Sequence, residues 1–119
     1  MNNMLAIFIG GGIGSILRYG ISRLMPLFIK TAFPIATLAS NVFSCVALAA
    51  FLLLAQRYNT YTWIKPLLII GFCGGFSTFS TFSLENIDLL RAGNYSWLLL
   101  NIFISVLSCI GLLFVLIKK

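Results

Sequence analysis

The sequence predicts an all-α integral membrane protein of four transmembrane helices, the third broken near its middle. Three observations lead there. Across 119 residues, 61% of side chains are hydrophobic, only 8% are charged and the mean hydropathy is +1.07. The apolar residues gather into four runs, each near the roughly 20 residues that span about 30 Å of hydrocarbon. Finally, the third run contains a stretch, Gly71–Ser83, that fits neither a regular helix nor a strand.

The spans are expected at about 4–25, 33–55, 63–84 and 95–117 of a single domain covering 1–119. The leading Met-Asn-Asn-Met lacks the basic region and cleavage site of a signal peptide, so the first span is expected to be retained. That span carries Gly10-Gly11-Gly12-Ile13-Gly14. Ser15 leaves a G-x-G-x-x-G phosphate loop uncompleted, whereas Gly10 and Gly14 form the G-x-x-x-G spacing that lets membrane helices approach closely. Arg18 follows within the span, either snorkelling outward or facing an aqueous vestibule.

In the second span Pro34 stands near the first turn, and Thr37, Asn41, Ser44 and Cys45 form a polar stripe at helical spacing. The Asn41 amide needs partners in hydrocarbon, found in a neighbouring helix or along a pathway. The third span opens at Pro66 and repeats G-x-x-x-G at Gly71 and Gly75. Gly74-Gly75 should weaken the helix, by about 1 kcal/mol per glycine relative to alanine. Phe76, Phe79 and Phe82 then recur every third residue between hydroxyls, a stripe that drifts around a helix by about 300° per step. A loosened backbone persists in a bilayer only where protein or a water-filled cavity receives it. Five hydroxyls beside such a loosening mark 71–83 as a candidate site. Beyond it lie Glu85 and Asp88, with Arg91 as expected partner, and an Ala92-Gly93-Asn94 turn. The last span aligns Asn101, Ser105 and Ser108 or Cys109, while Tyr95, Trp97 and Lys118-Lys119 suit the interfaces.

Several function classes lose their parts. There is no histidine, and Glu85 and Asp88 are the only acids, so general acid–base catalysis is not expected. Cys45, Cys73 and Cys109 show no C-x-x-C spacing and read as small buried hydrophobes, neither disulfides nor metal ligands. The net charge of +6 is scattered rather than gathered on one face, which argues against nucleic acid. Across the four spans, Arg57, Lys65, Lys118 and Lys119 share one side, against Arg23, Lys30, Arg91 and the inset Arg18. This near balance lacks the Lys/Arg excess that fixes orientation, and points to insertion both ways and pairing with an inverted copy. Ring edges, hydroxyls and an amide favour a small anion, because the positive rim of an aromatic ring attracts without holding a full charge.

Gly-Phe-Cys-Gly-Gly-Phe-Ser-Thr-Phe-Ser-Thr-Phe-Ser at 71–83, Gly-Gly-x-Gly-x-x-x-Arg-Tyr at 11–19, Asn41 and Ala-Gly-Asn-Tyr at 92–95 closely resemble the Fluc (CrcB) fluoride channel family. The resemblance covers essentially the whole chain. It implies an antiparallel, dual-topology homodimer in the cytoplasmic membrane, exporting fluoride passively through two pores. Phe79 and Phe82 would be the pore phenylalanines, with Asn41, Ser80, Thr81 and Ser105 along the same path and Arg18 at a vestibule. A structural sodium ion would be held at the dimer centre by backbone carbonyls of Gly74 and Ser77. Ser44 departs from the family's frequent glycine, and Ser77 from its common threonine. A rival reading, a small dual-topology multidrug exporter, wants a carboxylate in the first span and finds none.

Overall fold

The computed structural model describes residues 2–30, 33–58 and 64–117. The expected start of the third span at Trp63 and the terminal Lys118-Lys119 lie outside these residues. Four helical segments are long and apolar enough to cross a membrane among those described. The chain is therefore a multi-pass membrane protein by length and composition of its helices.

Helix α1 runs Asn3–Phe28 and begins where the Asn2 side chain accepts the Met4 N–H at 2.8 Å. Such a cap satisfies a donor that the first helical turn leaves without a partner. Pro26 falls inside α1, close to its end. Helix α2 runs Ile35–Tyr58, with Pro34 just before it, where a missing N–H costs nothing.

The third span has two halves. The first, α3, winds in the wide i→i+5 form over Lys65–Cys73 and closes with one α turn over Gly74–Phe76. Ser77 and Thr78 are extended, and α4 then runs Phe79–Arg91. The expected break near the middle of this span is present, and its helical part continues well beyond Leu84. Helix α5 spans Tyr95–Ile117 and starts where the sequence places the fourth span. Between α4 and α5, Gly93 sits at φ 79°, and its N–H and that of Asn94 bond back to Leu90 and Leu89. This is a Schellman closure, whose left-handed residue favours glycine.

Packing is organised by one seam. Helix α1 lies along α3 so closely that a side chain at Gly10 would strike the Leu67 carbonyl, and one at Gly14 the Phe72 carbonyl. From the other side, a Cβ at Gly71 would come within 3.0 Å of the Ile7 carbonyl, and one at Gly75 would collide with Gly11. Both G-x-x-x-G pairs thus face each other, as small-residue interfaces in membranes do. The glycines answer a second expectation differently. Gly74 is regular helix at φ −63°, ψ −36°, so the backbone opens after the glycine pair rather than at it. Outside this seam, α1 and α5 leave large apolar side chains uncovered, among them Phe8, Ile16, Leu107 and Phe114. Uncovered apolar surface on this scale belongs against lipid or another protein.

Candidate functional site

The break at Ser77–Thr78 is made by neighbours. In an unbroken helix the Thr78 N–H would bond the Gly74 carbonyl; here it donates to Asn41 Oδ1 at 3.1 Å. The Thr81 N–H, which would bond the Ser77 carbonyl, turns to Thr78 Oγ1 at 3.3 Å and caps α4. The Gly75 carbonyl accepts from Arg18 Nε at 3.2 Å. One amide and one guanidinium, from two other helices, thereby satisfy polar groups that the bilayer would not. Gly74 and Ser77, the two residues expected to offer carbonyls to a cation, are among those at the break whose carbonyls lose a helical N–H, since the Thr78 and Thr81 N–H groups turn to side chains. Gly74 is exposed, with nothing within 4 Å of the place a Cβ would take.

Two hollows flank the break. A groove of about 300 Å³ is lined by Asn41, Thr78, Phe79, Phe82 and Ser105, together with Ser77, Cys45 and Cys109. The Phe79 and Phe82 rings lie 5.7 Å apart at 42°, Phe82 8% exposed and Phe79 78% exposed. Ser105 donates to Asn101 Oδ1 at 3.1 Å, and Asn101 Nδ2 donates to Asn86 Oδ1 at 2.7 Å. This short ladder ties α5 to α4 and leaves Ser105 buried beside the groove. Ser80 is exposed, its hydroxyl 3.1 Å from Thr78 Oγ1.

The second hollow, about 630 Å³, is lined by Arg18, Ser22, Lys30, Thr37, Thr81 and Glu85 among others. Thr81, expected on one path with the phenylalanines, therefore opens to the Arg18 side of the break. Arg91 was expected to pair with Glu85 or Asp88; among the described residues Glu85 instead meets Thr37, whose Oγ1 donates to Oε2 at 2.8 Å, while Oε1 is buried with no partner among them. Both residues had stood out in the sequence, but their meeting across α2 and α4 depends on the break that re-aims α4. Asn86 drew no notice there, since only the fold brings it to Asn101. The polar stripe of α2 is used throughout, with Ser44 Oγ donating to the Cys73 carbonyl at 3.0 Å.

The profile of the family described as CrcB-like protein, Camphor Resistance (CrcB), matches residues 5–117. The chain belongs to this family. A relative named fluoride-specific ion channel FluC in Coxiella burnetii (strain Dugway 5J108-111) is 42% identical over 112 residues, covering 92% of this chain and 90% of its own. A protein of the same name in Phocaeicola vulgatus is 43% identical over 95 residues, covering 80% and 78%. Another in Escherichia coli O139:H28 is 42% identical over 107 residues, covering 88% and 83%. The hollows and the break of this CrcB-like chain all lie within the matched residues.

Proposed function

We propose that this chain is a fluoride channel that lets the anion leave the cell passively through the cytoplasmic membrane. The observation that carries the reading is the groove beside the break. It gathers Asn41, Phe79, Phe82 and Ser105 from three helices around one opening. Relatives covering most of the chain bear the name fluoride-specific ion channel. The chemistry agrees with the name. Ring edges and hydroxyl or amide donors replace lost water while leaving no full positive charge to trap the ion. A negative-inside potential drives an anion outward with about 2.3 kcal/mol per 100 mV, so no pump is needed. Ser80 and Thr81 offer hydroxyls as the ion leaves the rings, and Arg18 draws anions towards the wider hollow. No catalytic role is proposed.

The working unit in this reading is an antiparallel homodimer with two pores. The near-balanced Lys/Arg distribution supports it, as does the 78% exposure of Phe79, a pathway residue left uncovered by its own subunit. A sodium ion at the centre of the dimer fits the residues present, because Gly74 and Ser77 offer carbonyls without helical partners beside an uncrowded surface. Unwound backbone carbonyls at broken membrane helices suit a hard cation of this kind. The ion's contribution would be structural: it would neutralise the gathered carbonyl dipoles. The exporter reading is not carried forward, since α1 offers no carboxylate.

Purified protein in vesicles loaded with potassium fluoride, opened with valinomycin and followed by a fluoride electrode, tests the function. Efflux well above that of protein-free vesicles is expected. Efflux equal to theirs would refute the proposal.

A further inference from the structure

Cys45 and Cys109 are the part of the groove that the proposed anion path does not use. Cys45 stands one turn after Asn41 on α2, and Cys109 one turn after Ser105 on α5. Both line the groove with Phe79 and Phe82. The two thiols are close enough to act on each other electrostatically, and both side chains are only partly covered. The third cysteine differs. Cys73 lies on α3, is 4% exposed, and does not line the groove.

Paired thiols select soft cations over hard ones. A metal preferring two ligands in a line suits two thiols that line one groove from two different helices. Charge favours such a site at this depth. Two thiolates and one divalent cation sum to zero, so the bridge puts no net charge into a low-dielectric setting. We propose that Cys45 and Cys109 form a two-thiolate site for a soft divalent cation of the mercuric type, and that the bridged metal closes the groove to anions. In forming it, each thiol releases its proton to water as a sulfur–metal bond forms; no electron is transferred. The site itself stands on the two cysteines alone, and its blocking effect rests on the channel reading above.

The test uses the intact protein and mercuric ion at one equivalent per chain, in chloride-free buffer. Intact-mass measurement in detergent should show wild type and Cys73→Ala gaining one mercury and losing two hydrogens. Cys45→Ser and Cys109→Ser should not form that bridged species. In vesicles, bridged wild type should pass fluoride about tenfold more slowly than before metal, recovering with dithiothreitol, as expected where soft thiolate ligation is reversible. The two serine variants should each keep their own metal-free rate. A bridged adduct persisting in Cys45→Ser or Cys109→Ser, or lost in Cys73→Ala, would overturn the site. Bridged protein conducting at its metal-free rate would overturn the block. Absence of flux before metal addition would sink the channel reading instead, leaving the mass measurement to decide the site.

Discussion

The two halves of the third span solve opposite problems within one short stretch of chain. Towards α1, Gly71 and Gly75 meet the backbone of Ile7 and Gly11, while Gly10 and Gly14 meet that of Leu67, Phe72 and Phe76, with no room for a methyl group. Towards α2 and α5, residues 77–82 meet side chains, and a groove remains between them. The first half gains dispersion and excludes everything; the second spends polar contacts on keeping a hollow open. The difference shows that the break is set by what it faces. Asn41 takes one N–H and Arg18 one carbonyl, while the glycines that looked like the weak point are held in regular helix.

Substitutions can break this contrast, and the largest effect is expected at the seam. Gly14→Leu places a branched side chain against the Phe72 carbonyl and Phe76 amide, with no flexible neighbour to yield. A loss of about 3 kcal/mol or more is expected, at the severe end for overpacking. Thermal unfolding in detergent, or failure to recover monodisperse protein, would register it. A variant as stable as wild type would disprove the close approach.

Next comes Asn41, where fold and flow can be separated. Asn41→Leu strands the Thr78 N–H, costing about 1–3 kcal/mol, the usual desolvation penalty of an unpaired buried donor. Asn41→Asp keeps the acceptor, so the break should survive thermally while a carboxylate in the groove lowers fluoride efflux about tenfold or more. Efflux from the aspartate variant equal to wild type would remove Asn41 from the path.

The phenylalanines sharpen the comparison further. Phe79→Ile and Phe82→Ile should each reduce efflux about tenfold, since an aliphatic chain has no positive rim. Phe82 is 8% exposed and Phe79 78% exposed, so only the former should also lower the melting temperature. Unchanged efflux in both would eliminate ring edges as the anion's partners.

Gly74 and Gly75 provide the smallest and most discriminating pair. Gly75→Ala should destabilise, because its methyl would collide with Gly11. Gly74→Ala meets nothing within 4 Å in the subunit and should shift stability by less than about 1 kcal/mol, in the direction of better helix propensity. Equal melting temperatures for the two variants would mean that the seam does not distinguish adjacent residues.

Much of this was legible beforehand, for identifiable reasons. Length and hydropathy bound the spans because hydrocarbon thickness is fixed, and the start of α5 at Tyr95 was legible. The G-x-x-x-G pairs announced the seam because glycine in a membrane helix leaves few other uses. The polar stripe of α2 was visible by periodicity, but its partners were not. Which hydroxyl meets which carbonyl depends on the angle between helices, and no local signal encodes that. Glu85 illustrates the limit: Arg91 was near in sequence, whereas Thr37, 48 positions away, is the partner in space. Thr81 and Phe82 are neighbours in sequence, yet a helix turns them towards different hollows.

The interruption at Ser77–Thr78 also has an electrical meaning. There α3 stops at its carbonyl end and α4 starts at its amide end, only two residues apart. Each terminus behaves as roughly half an elementary charge, negative for the first and positive for the second. Set tail to head, they cancel at a distance while remaining distinct close by. A discontinuity of this kind can lie deep in oil at little long-range cost, and still offer ions of either sign a local reason to stop.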